Sequence, residues 1–544
     1  MSFMKLPLEV ISLGASRLRM IKSLRNPLLQ LFKRCQHALF YVLFLVPSGC
    51  ATIIPPPTLP GTARTTEVRG TWITTTANDA ISTPANTAST MQRLREIGLN
   101  TVYVEVWKNG YTQFPSAVLK RAIGVDRSEN PANATAPDAT SPRDLLQETL
   151  IQAHRRGLLY VAWFEYGFMA AHKDTMNHLR RQKPTWLSRN IQGSEVAPNG
   201  FVWLNPLHPE ARKLLLDLAL EAIDKYDIDG IQLDDRIVWP HITMGYDDYT
   251  QKIYASEHDG RLPPADYQDA EWMRWRADKI TEYARQFVQE VRAKRPGLLI
   301  SLSPAVFPWS WENYLLKWPS WGAWTAQDRL QSVTAGAQET TPRWDEFIPQ
   351  AYRLNFADFE KTWLAQVAAM KTMGADRQKD LIVGIRIVGD GPDSSWQQLR
   401  DSILLARKMG NGGHVLWFSR GVTDLYAKEL TDFYVASGPA TSPYFPAGWR
   451  KPAISLYRAP LAERGGQDGR SAWFAADLPR GRYRMIAFDG HGWEYLNDQT
   501  IDSHVGVNSR VYFYLPGHYQ QAELLIDRRD DMKKSRVTSG SPAS

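Results

Sequence analysis

Short apolar runs alternate with longer amphipathic segments along most of the chain, from Arg69 to Ser419. This alternation is typical of βα units, in which parallel strands form a sheet and helices cover it. Eight such runs can be distinguished, and eight strands are the number that closes a β/α barrel. The predicted strands are Arg69–Thr75, Asn100–Trp107, Leu159–Gly167, Gly230–Arg236, Leu298–Val306, Glu346–Tyr352, Leu381–Val388 and Gly413–Ser419. The pattern therefore predicts an α/β fold, a (β/α)8 TIM barrel over residues 67–441.

The segments between the runs have the apolar spacing of helices. Two of them have proline near the first turn, at Pro142 and Pro209. The same spacing recurs in Trp272–Lys294, Phe359–Met373 and Trp396–Met409. Longer inserts follow the second, third and fourth strands, so we expect them at the C-terminal mouth, where barrel loops carry function. These inserts cover residues 109–141, 168–206 and 237–270.

The pattern changes after about Ser442, where alternating segments are separated by Gly-rich turns. Such segments are typical of antiparallel strands. They lie at Ala453–Tyr457, Arg482–Phe488, Arg510–Leu515 and Ala522–Ile526. We predict a small all-β, β-sandwich-like domain over residues 442–528, followed by a polar and disordered tail over 529–544.

Parity along each strand predicts which side chains point into the barrel. One set of alternate residues faces the helices and is apolar, so the other set faces the lumen. In the second strand Val102, Val104 and Val106 identify the outward set. The predicted inward side chains are Tyr103, Glu105, Trp107, Trp163, Glu165, Gln232, Asp234, Ser301, Ser303, Gln350, Tyr352, Arg386, Trp417 and Ser419. Acids and aromatic rings therefore collect near one mouth, with Asp235 just past the end of the fourth strand.

The inward charges are three acids and one arginine: Glu105, Glu165, Asp234 and Arg386. Arg386 can neutralise one of these acids. The remaining acidic side chains have two explanations: they belong to a salt-bridge cluster that stabilises the barrel mouth, or they form an active site. Cleavage of a glycosidic bond commonly uses one protonated and one ionised carboxyl, and clustered acids separate each other's pKa values. We expect Asp234 to be the ionised partner and Glu165 to be the acid, with Glu105 next in that role. Asp235 either binds a sugar hydroxyl or caps the next segment.

Aromatic residues extend the candidate site, because their flat faces stack on the C–H faces of sugar rings. The chain holds 20 Trp and 22 Tyr, and those at strand ends fit either sugar stacking or loop packing. The predicted substrate contacts are Trp107, Trp163, Trp203 and Trp417, together with the polar residues Gln350, Tyr352 and Arg386. Trp239 and Trp309 lie just beyond strand ends and share the same two interpretations.

Composition excludes several other functions. The net charge is +7, but basic residues are scattered among acids, which argues against nucleic-acid binding. The two cysteines, Cys35 and Cys50, precede the predicted barrel, so no disulfide framework or thiolate metal site is expected in it. The histidines show no spacing for a metal site, and no nucleotide-binding or Ser-His-Asp motif stands out. We predict neither a metal nor an organic cofactor.

The first 50 residues are typical of an export signal. Basic residues precede an apolar run, Ala38–Val46, which is too short to span a bilayer and ends at Pro-Ser-Gly-Cys50. Two interpretations remain: a lipoprotein signal with a lipid on Cys50, or an ordinary signal peptide with an incidental cysteine. Residues 51–66 are Pro-rich and predict an extended tether. We expect an exported protein at the periplasmic face of a bacterial membrane, anchored through Cys50.

Several ordered motifs resemble one known family. They are Glu67-Val-Arg-Gly-Thr-Trp-Ile73, Gly98-Leu-Asn-Thr-Val-Tyr-Val-Glu-Val-Trp107, Ala162-Trp-Phe-Glu165, Trp203-Leu-Asn-Pro206 and Tyr226-Asp-Ile-Asp-Gly-Ile-Gln-Leu-Asp-Asp235. They are similar to those of glycosyl-hydrolase-like family 10, and the resemblance runs from about Glu67 to Phe433. It implies a barrel hydrolase, often a lipoprotein, that acts on bacterial glycans. The resemblance also implies functional roles for Asp234, Asp235, Glu105 and Asn205. The sequence differs from the family pattern at Arg236, where many relatives have an aromatic residue or histidine.

Together these features predict a glycosidase that cleaves a polysaccharide of the bacterial envelope, with peptidoglycan glycan strands the leading candidate. Two alternatives remain open. One is a catalytically inactive glycan-binding lipoprotein, for which carboxylate-to-amide substitutions would leave binding intact. The other is a scaffold of the division machinery that merely inherits the barrel.

Overall fold

A computed structural model describes residues 65–128, 143–331, 341–459, 471–478, 481–502 and 509–533. The predicted export signal with Cys50 lies outside these residues, as does the predicted tether except for Thr65–Thr66, which pairs in parallel with Ala440–Thr441. Within the described ranges, no helix is both long and apolar enough to cross a membrane.

Eight parallel strands form the first sheet, with hydrogen-bonded order β6-β5-β4-β3-β2-β1-β8-β7. They are β1 Val68–Ile73, β2 Thr101–Glu105, β3 Leu159–Phe164, β4 Gly230–Leu233, β5 Leu299–Leu302, β6 Glu346–Phe347, β7 Val383–Arg386 and β8 Gly413–Trp417. Parallel bridges Phe347–Leu381 and Gln350–Gly384 join the two end strands, β6 and β7. The sheet is thus closed into a ring, and the predicted (β/α)8 barrel is confirmed.

Helices cover the outside of the ring: α1 Pro84–Ile97, α2 Leu145–Arg155, α3 Pro209–Lys225, α4 Ala270–Lys294, α5 Phe356–Met373, α6 Trp396–Lys408 and α7 Ala427–Ser437. Local signals set their ends. The Thr83 side chain accepts a hydrogen bond from Asn86 N at the start of α1, and Gly98 ends that helix with a φ of 111°. Smaller helices lie at Ala117–Ile123, His178–Gln182, Asp248–Glu257 and Trp309–Tyr314.

The sixth strand is much shorter than the predicted Glu346–Tyr352. It ends at Phe347 because Pro349 has no N–H to donate to a neighbouring strand. The chain rejoins the ring at Gln350, where Ala351 N donates to Gly384 O at 3.0 Å. Gln350 therefore stays at the barrel mouth although it lies outside a regular strand.

The lumen follows the predicted parity. The rings of Tyr103, Trp163 and Trp417 surround that of Trp72, with centroids 6.0, 6.4 and 5.9 Å away. Trp72 Nε1 donates to Gln232 Oε1 at 2.8 Å, and Gln232 is itself fully buried. The packed aromatic lumen forms a floor, so a ligand can enter only at a mouth.

A second sheet follows the barrel, and all of its pairings are antiparallel. Its strands are β9 Ile454–Ala459, β10 Ser471–Leu478, β11 Arg482–Phe488, β12 Trp493–Asp502, β13 Ser509–Pro516 and β14 Gln521–Ile526, in the order β12-β11-β14-β9-β10-β13. The predicted all-β C-terminal domain is confirmed, but its strands form one continuous sheet. Two of them, β10 and β12, were not predicted, because Ala and polar residues weaken their apolar alternation.

The C-terminal domain packs on the barrel at the N-terminal ends of its strands. Arg450 donates to Asp229 Oδ1 at 2.8 Å and to Asp227 Oδ2 at 3.1 Å, just before β4. Met532 is buried, and its carbonyl accepts a hydrogen bond from Gly297 N at 2.6 Å. The predicted disordered tail is therefore ordered over 529–533, and 534–544 lie outside the described residues. The domain lies at the mouth opposite the strand ends that carry the acids.

Candidate active site

Four carboxylic acids meet at the C-terminal mouth, where three neighbouring strands end. Glu105 is the last residue of β2, Glu165 follows β3, and Asp234 and Asp235 follow β4. Because β2, β3 and β4 are adjacent in the ring, residues far apart in sequence lie side by side. The cluster also contains two cations, Lys108 and Arg236, which together contact all four carboxylates.

Asp234 lies at the base of the mouth and accepts hydrogen bonds on both carboxylate oxygens. Gln350 Nε2 donates to Oδ1 at 2.6 Å, and Asp235 N donates to the same oxygen at 2.8 Å. Trp163 Nε1 donates to Oδ2 at 3.1 Å, and Arg236 Nη1 donates to it at 3.0 Å. All of these donors are N–H groups, which bind a carboxylate and cannot accept a proton from it.

Arg236 joins three of the acids. Its Nη1 lies 3.0 Å from Asp234 Oδ2 and 3.2 Å from Asp235 Oδ1, and its Nη2 lies 3.6 Å from Glu165 Oε1. A further bond from Nη1 to the Glu165 carbonyl, 3.0 Å long, fixes the guanidinium against the end of β3. Arg236 thus holds the acid cluster together.

Lys108 neutralises the other side of the cluster. Its Nζ lies 2.8 Å from Glu105 Oε2 and 3.2 Å from Glu165 Oε2, and Thr75 Oγ1 also donates to Glu105. Burial raises the pKa of Glu105, although Lys108 opposes the rise. Burial disfavours the charge of Lys108, yet Glu105 and Glu165 together raise its pKa. Glu105 is 0% exposed, so it acts on the site through Lys108 rather than by touching a ligand.

The two aspartates after β4 behave as a pair. Burial raises the pKa of Asp234 well above its usual range, and the charge of Asp235 raises it further. Burial also raises the pKa of Asp235, against the effect of Arg236. Two neighbouring carboxyls that share one cation are costly to ionise together, so the pair retains one proton to a higher pH than a single exposed carboxyl does. The raised pKa is a property of the pair, and we place its proton on Asp235 because four N–H donors stabilise the charged form of Asp234.

One polar group at this mouth remains available for a ligand. Within the described ranges, the buried hydroxyl of Tyr352 has no hydrogen-bond partner, whereas Glu165 Oε2 and Asp235 Oδ1 contact the cations Lys108 and Arg236. Burial raises the pKa of Tyr352 well above its usual range, and the charges of Asp234 and Asp235 add to the rise. Buried polar groups are normally satisfied, so the Tyr352 hydroxyl points to a polar molecule bound at this mouth.

Most of the predicted site residues are brought together here. Asp234, Asp235, Glu165, Glu105, Gln350 and Trp163 belong to the hydrogen-bonded or ion-paired cluster. The rings of Tyr352 and Trp417 stack at 5.7 Å with 30° between their planes and form a half-buried wall next to the floor residue Trp72.

Arg386 is not part of the acid cluster, which corrects the expectation that it neutralises an acid. Among the described residues, its guanidinium donates to backbone carbonyls, with Nη1 2.8 Å from Pro392 O and Nη2 2.7 Å from Asp390 O. It holds the loop after β7 in place. The neutralising role belongs to Arg236 and Lys108.

Three other predicted contacts do not reach the site, because each side chain is buried in a loop. Trp107 Nε1 donates to Gly167 O at 3.0 Å, and Trp203 packs in the hairpin of Met169–His172 with Phe201–Trp203. Asn205 donates to Asp247 Oδ1 at 2.7 Å and to Thr250 Oγ1 at 2.9 Å, at the start of helix Asp248–Glu257. These residues pack and anchor the loops that surround the mouth.

Lys108 and Arg236 are the functional side chains that the parity of the strands missed. Both lie past a strand end, where inward and outward positions no longer alternate. The signal for Lys108 was its position three residues after Glu105, and that for Arg236 was its place next to two aspartates. Within the described part of the chain, no group of three His, Cys, Asp or Glu side chains is arranged to hold a metal ion.

A closed β/α barrel with paired carboxyls at the C-terminal ends of its strands is the architecture of a glycoside-hydrolase-like protein. The family assignment agrees, since residues 67–387 match the family Glycosyl hydrolase-like 10. The chain belongs to that family, as its motifs predicted.

Relatives with assigned names cover the barrel at low identity. The chain is similar to glycosyl hydrolase YngK of Bacillus subtilis strain 168, with 24% identity over 295 residues, 50% of this chain and 51% of that protein. It is also similar to glycosyl hydrolase DigH of Escherichia coli K12, with 23% identity over 321 residues, 52% of this chain and 65% of that protein. The chain thus spans less than two thirds of either relative.

Among solved structures, the chain is similar to the glycoside hydrolase domain of PgaB (BpsB) from Bordetella bronchiseptica. The identity is 14% and the TM-score 0.48, over 67% of this chain and 98% of that domain.

Proposed function

We propose that this protein is a glycoside hydrolase that cleaves a polysaccharide of the bacterial envelope, with peptidoglycan glycan strands as its substrate. The observation that carries the proposal is the convergence of Asp234, Asp235 and Glu165 on one guanidinium at the barrel mouth, close to the Tyr352 hydroxyl, which has no hydrogen-bond partner among the described residues. The type of reaction is supported by the names of the relatives, glycosyl hydrolases YngK and DigH, and the glycan substrate is supported by the family resemblance alone.

In the proposed reaction Asp234 is the ionised carboxylate. Its oxygens accept only N–H donors, so it carries negative charge beside the anomeric carbon, either as nucleophile or as the base that activates water. Trp163 and Gln350 fix its orientation. An oxocarbenium-like transition state gains most from a charge that is already in place before the bond breaks.

Asp235 is the proposed proton donor to the leaving-group oxygen. The two aspartates together retain one proton, and Asp235 carries it because the N–H donors keep Asp234 ionised. Its side chain is 26% exposed, compared with 10% for Glu165, so it is the more accessible of the two to a leaving group. This assignment replaces Glu165, the acid expected from the strand pattern. Glu165 then holds Lys108 and Arg236 in place.

Purified protein incubated with peptide-free glycan strands tests the proposal. Fragments released by the wild type and measured by mass spectrometry are expected to disappear with Asp234→Asn and Asp235→Asn. Asp432→Asn, on the exposed face of α7, is a matched control that should retain activity. Binding of the strands without any fragment from the wild type would instead favour the inactive glycan-binding alternative.

Anchoring through a lipid on Cys50 is the second part of the proposal and is supported by the sequence of residues 1–50. A Cys50→Ala variant expressed in the bacterial envelope is expected to leave the membrane fraction, whereas Cys35→Ala should remain there. Equal membrane retention of both variants would refute the lipid anchor.

A further inference from the structure

An aromatic surface lies beside the acids on the loop that follows β5. Trp309 opens the short helix Trp309–Tyr314 and is 47% exposed, unlike most tryptophans of the barrel, which are buried. Its ring lies 5.4 Å from that of Tyr314, with 53° between the planes. Tyr314 itself is half-buried, so the exposed part of this surface is mainly the Trp309 ring.

This surface is held in a fixed position. Trp203 lies 6.1 Å from the Tyr314 ring, and His241 meets its edge at 5.7 Å and 90°. Two backbone bonds tie the helix to the loop after β4, from Trp239 N to Tyr314 O at 3.2 Å and from Ile242 N to Asn313 O at 2.8 Å. A rigid aromatic surface loses little conformational entropy when it binds a ligand.

A polar group borders the rings. Asn199, from the loop after β3, donates from Nδ2 to the Tyr314 hydroxyl at 2.9 Å, and its Oδ1 accepts a bond from Phe201 N at 3.1 Å. Asn199 is exposed. A ring face bordered by a fixed amide and a hydroxyl matches a sugar, which has a C–H face and hydroxyl edges.

The loop after β4 links this surface to the acid cluster. The loop that carries His241 begins directly after Arg236, and it is bonded to the helix Trp309–Tyr314. Burial raises the pKa of Tyr314, and the nearby charge of Asp235 adds to the rise. The hydroxyl of Tyr314 therefore lies within the electrostatic reach of the acid that donates the proton in the proposed reaction.

A second aromatic surface lies at the same mouth, next to the ends of β6 and β8. Tyr352 and Trp417 form it by stacking, whereas Trp309 and Tyr314 lie on the loop after β5, supported by the loops after β3 and β4. The two surfaces are therefore carried by different loops of the mouth at which the acids lie. Two separate sugar-stacking surfaces at one mouth suit a glycan chain of which more than one sugar unit is bound.

We propose that Trp309, Tyr314 and Asn199 form a sugar-binding subsite for polysaccharide units away from the cleaved bond, so that the enzyme cuts within a glycan chain. This inference rests on the proposed glycosidase function and names its mode of action. The subsite contributes to the binding of long strands and not to the chemistry at Asp234 and Asp235.

The test compares Trp309→Ala with the full-length parent in an Asp234→Asn background, so that binding is measured without cleavage. Calorimetry with long peptide-free glycan strands is expected to show up to about tenfold weaker binding for Trp309→Ala, because one aromatic stacking contact contributes up to roughly a factor of ten in affinity. Binding of the disaccharide unit should not change. Trp309→Phe should recover most of the affinity. Tyr514 is a similarly exposed ring on the C-terminal domain, and Tyr514→Ala should leave the affinity for long strands unchanged.

The outcomes separate this subsite from the proposed function. If the parent binds long strands and Trp309→Ala binds them equally well, the subsite is overturned while the hydrolase proposal stands. If Trp309→Ala weakens binding but the wild type cleaves nothing, the subsite stands and the hydrolase proposal is overturned. With the wild-type catalytic residues, early products of mixed length support internal cleavage, and disaccharides released one at a time from the outset overturn it.

Discussion

Gln350 donates a 2.6 Å hydrogen bond from Nε2 to Oδ1 of Asp234, across the mouth of the barrel and over 116 residues of sequence. Gln350 lies just past the end of β6, after Pro349, and Asp234 lies just past the end of β4. The segments after these two strands therefore meet at Asp234, the carboxylate to which we assign the negative charge in catalysis. The orientation of Asp234 therefore depends on an amide outside its own strand.

Replacing Gln350 by leucine should lower kcat/KM on glycan strands by about 10-fold to 100-fold, because a hydrogen bond to a charged group contributes roughly 1.5–3 kcal/mol. The change should fall mainly on kcat, since Gln350 acts on Asp234. Gln397→Leu, on the exposed side of α6, is the control for steady-state kinetics. An unchanged kcat would refute the positioning role.

The proton on Asp235 predicts the alkaline limit of activity. Because burial raises the pKa of Asp235, kcat/KM should fall as pH rises through that value, and Asp235→Asn should remove most of the activity. With a substrate whose leaving group needs no proton, Asp235→Asn should retain its rate, and the fall in kcat/KM at high pH should disappear. If Glu165→Gln rather than Asp235→Asn shows this behaviour, Glu165 is the general acid.

The raised pKa of Asp235 also affects stability. A carboxyl whose folded pKa lies above its unfolded value contributes stability at low pH that is lost as pH rises through the folded pKa. Asp235→Asn should therefore unfold at a higher urea concentration than the wild type at neutral pH, with the difference shrinking towards acid. A wild type that is more stable than Asp235→Asn at neutral pH would contradict the direction of this pKa shift.

Lys108→Met should leave Glu105 and Glu165 without their shared cation. Removing one partner of a buried ion pair typically costs about 3–5 kcal/mol of unfolding free energy, measured by urea denaturation. Adding Glu105→Gln to that variant should restore part of the loss, since the fully buried charge is then absent. Additive losses in the double variant would show that Lys108 and Glu105 do not interact energetically.

Glu67, at the start of the barrel, predicts an acid-dependent part of stability. Burial raises its pKa, but hydrogen bonds from Arg407 and Arg69 outweigh that effect and lower the pKa from its usual 4.5 to about 2. At neutral pH this shift corresponds to about 3 kcal/mol, present above the usual pKa and lost as pH falls towards about 2. Glu67→Gln should thus be less stable at pH 7 and lose this deficit in acid. A deficit independent of pH would contradict the ion-pair origin.

The strand pattern predicted much of this molecule, because a parallel barrel repeats one simple alternation of inward and outward residues. That alternation placed Glu105, Glu165 and Asp234 at one mouth. It could not place Arg236 or Lys108, which lie after strand ends, where the backbone turns and parity stops. It also assigned Arg386 a carboxylate partner that the structure replaces with loop carbonyls, because a guanidinium binds whichever acceptors the loop brings to it.

Tryptophans were the least predictable side chains. Trp107 and Trp203 fulfil packing roles in loops, whereas Trp163 contacts Asp234 and Trp309 remains exposed. All of them lie near strand ends, so sequence position alone does not separate them. The difference arises from the folding of the loops, which depends on contacts between distant segments.

Hydrolysis of a glycosidic bond by Asp234 and its neighbours is tested most directly by digestion of peptide-free glycan strands in water enriched in heavy oxygen. Wild-type protein is expected to release fragments with one heavy oxygen at each new reducing end, and Asp234→Asn is expected to release none. Fragments without the label, fragments from Asp234→Asn at the wild-type rate, or no fragments from the wild type would contradict it.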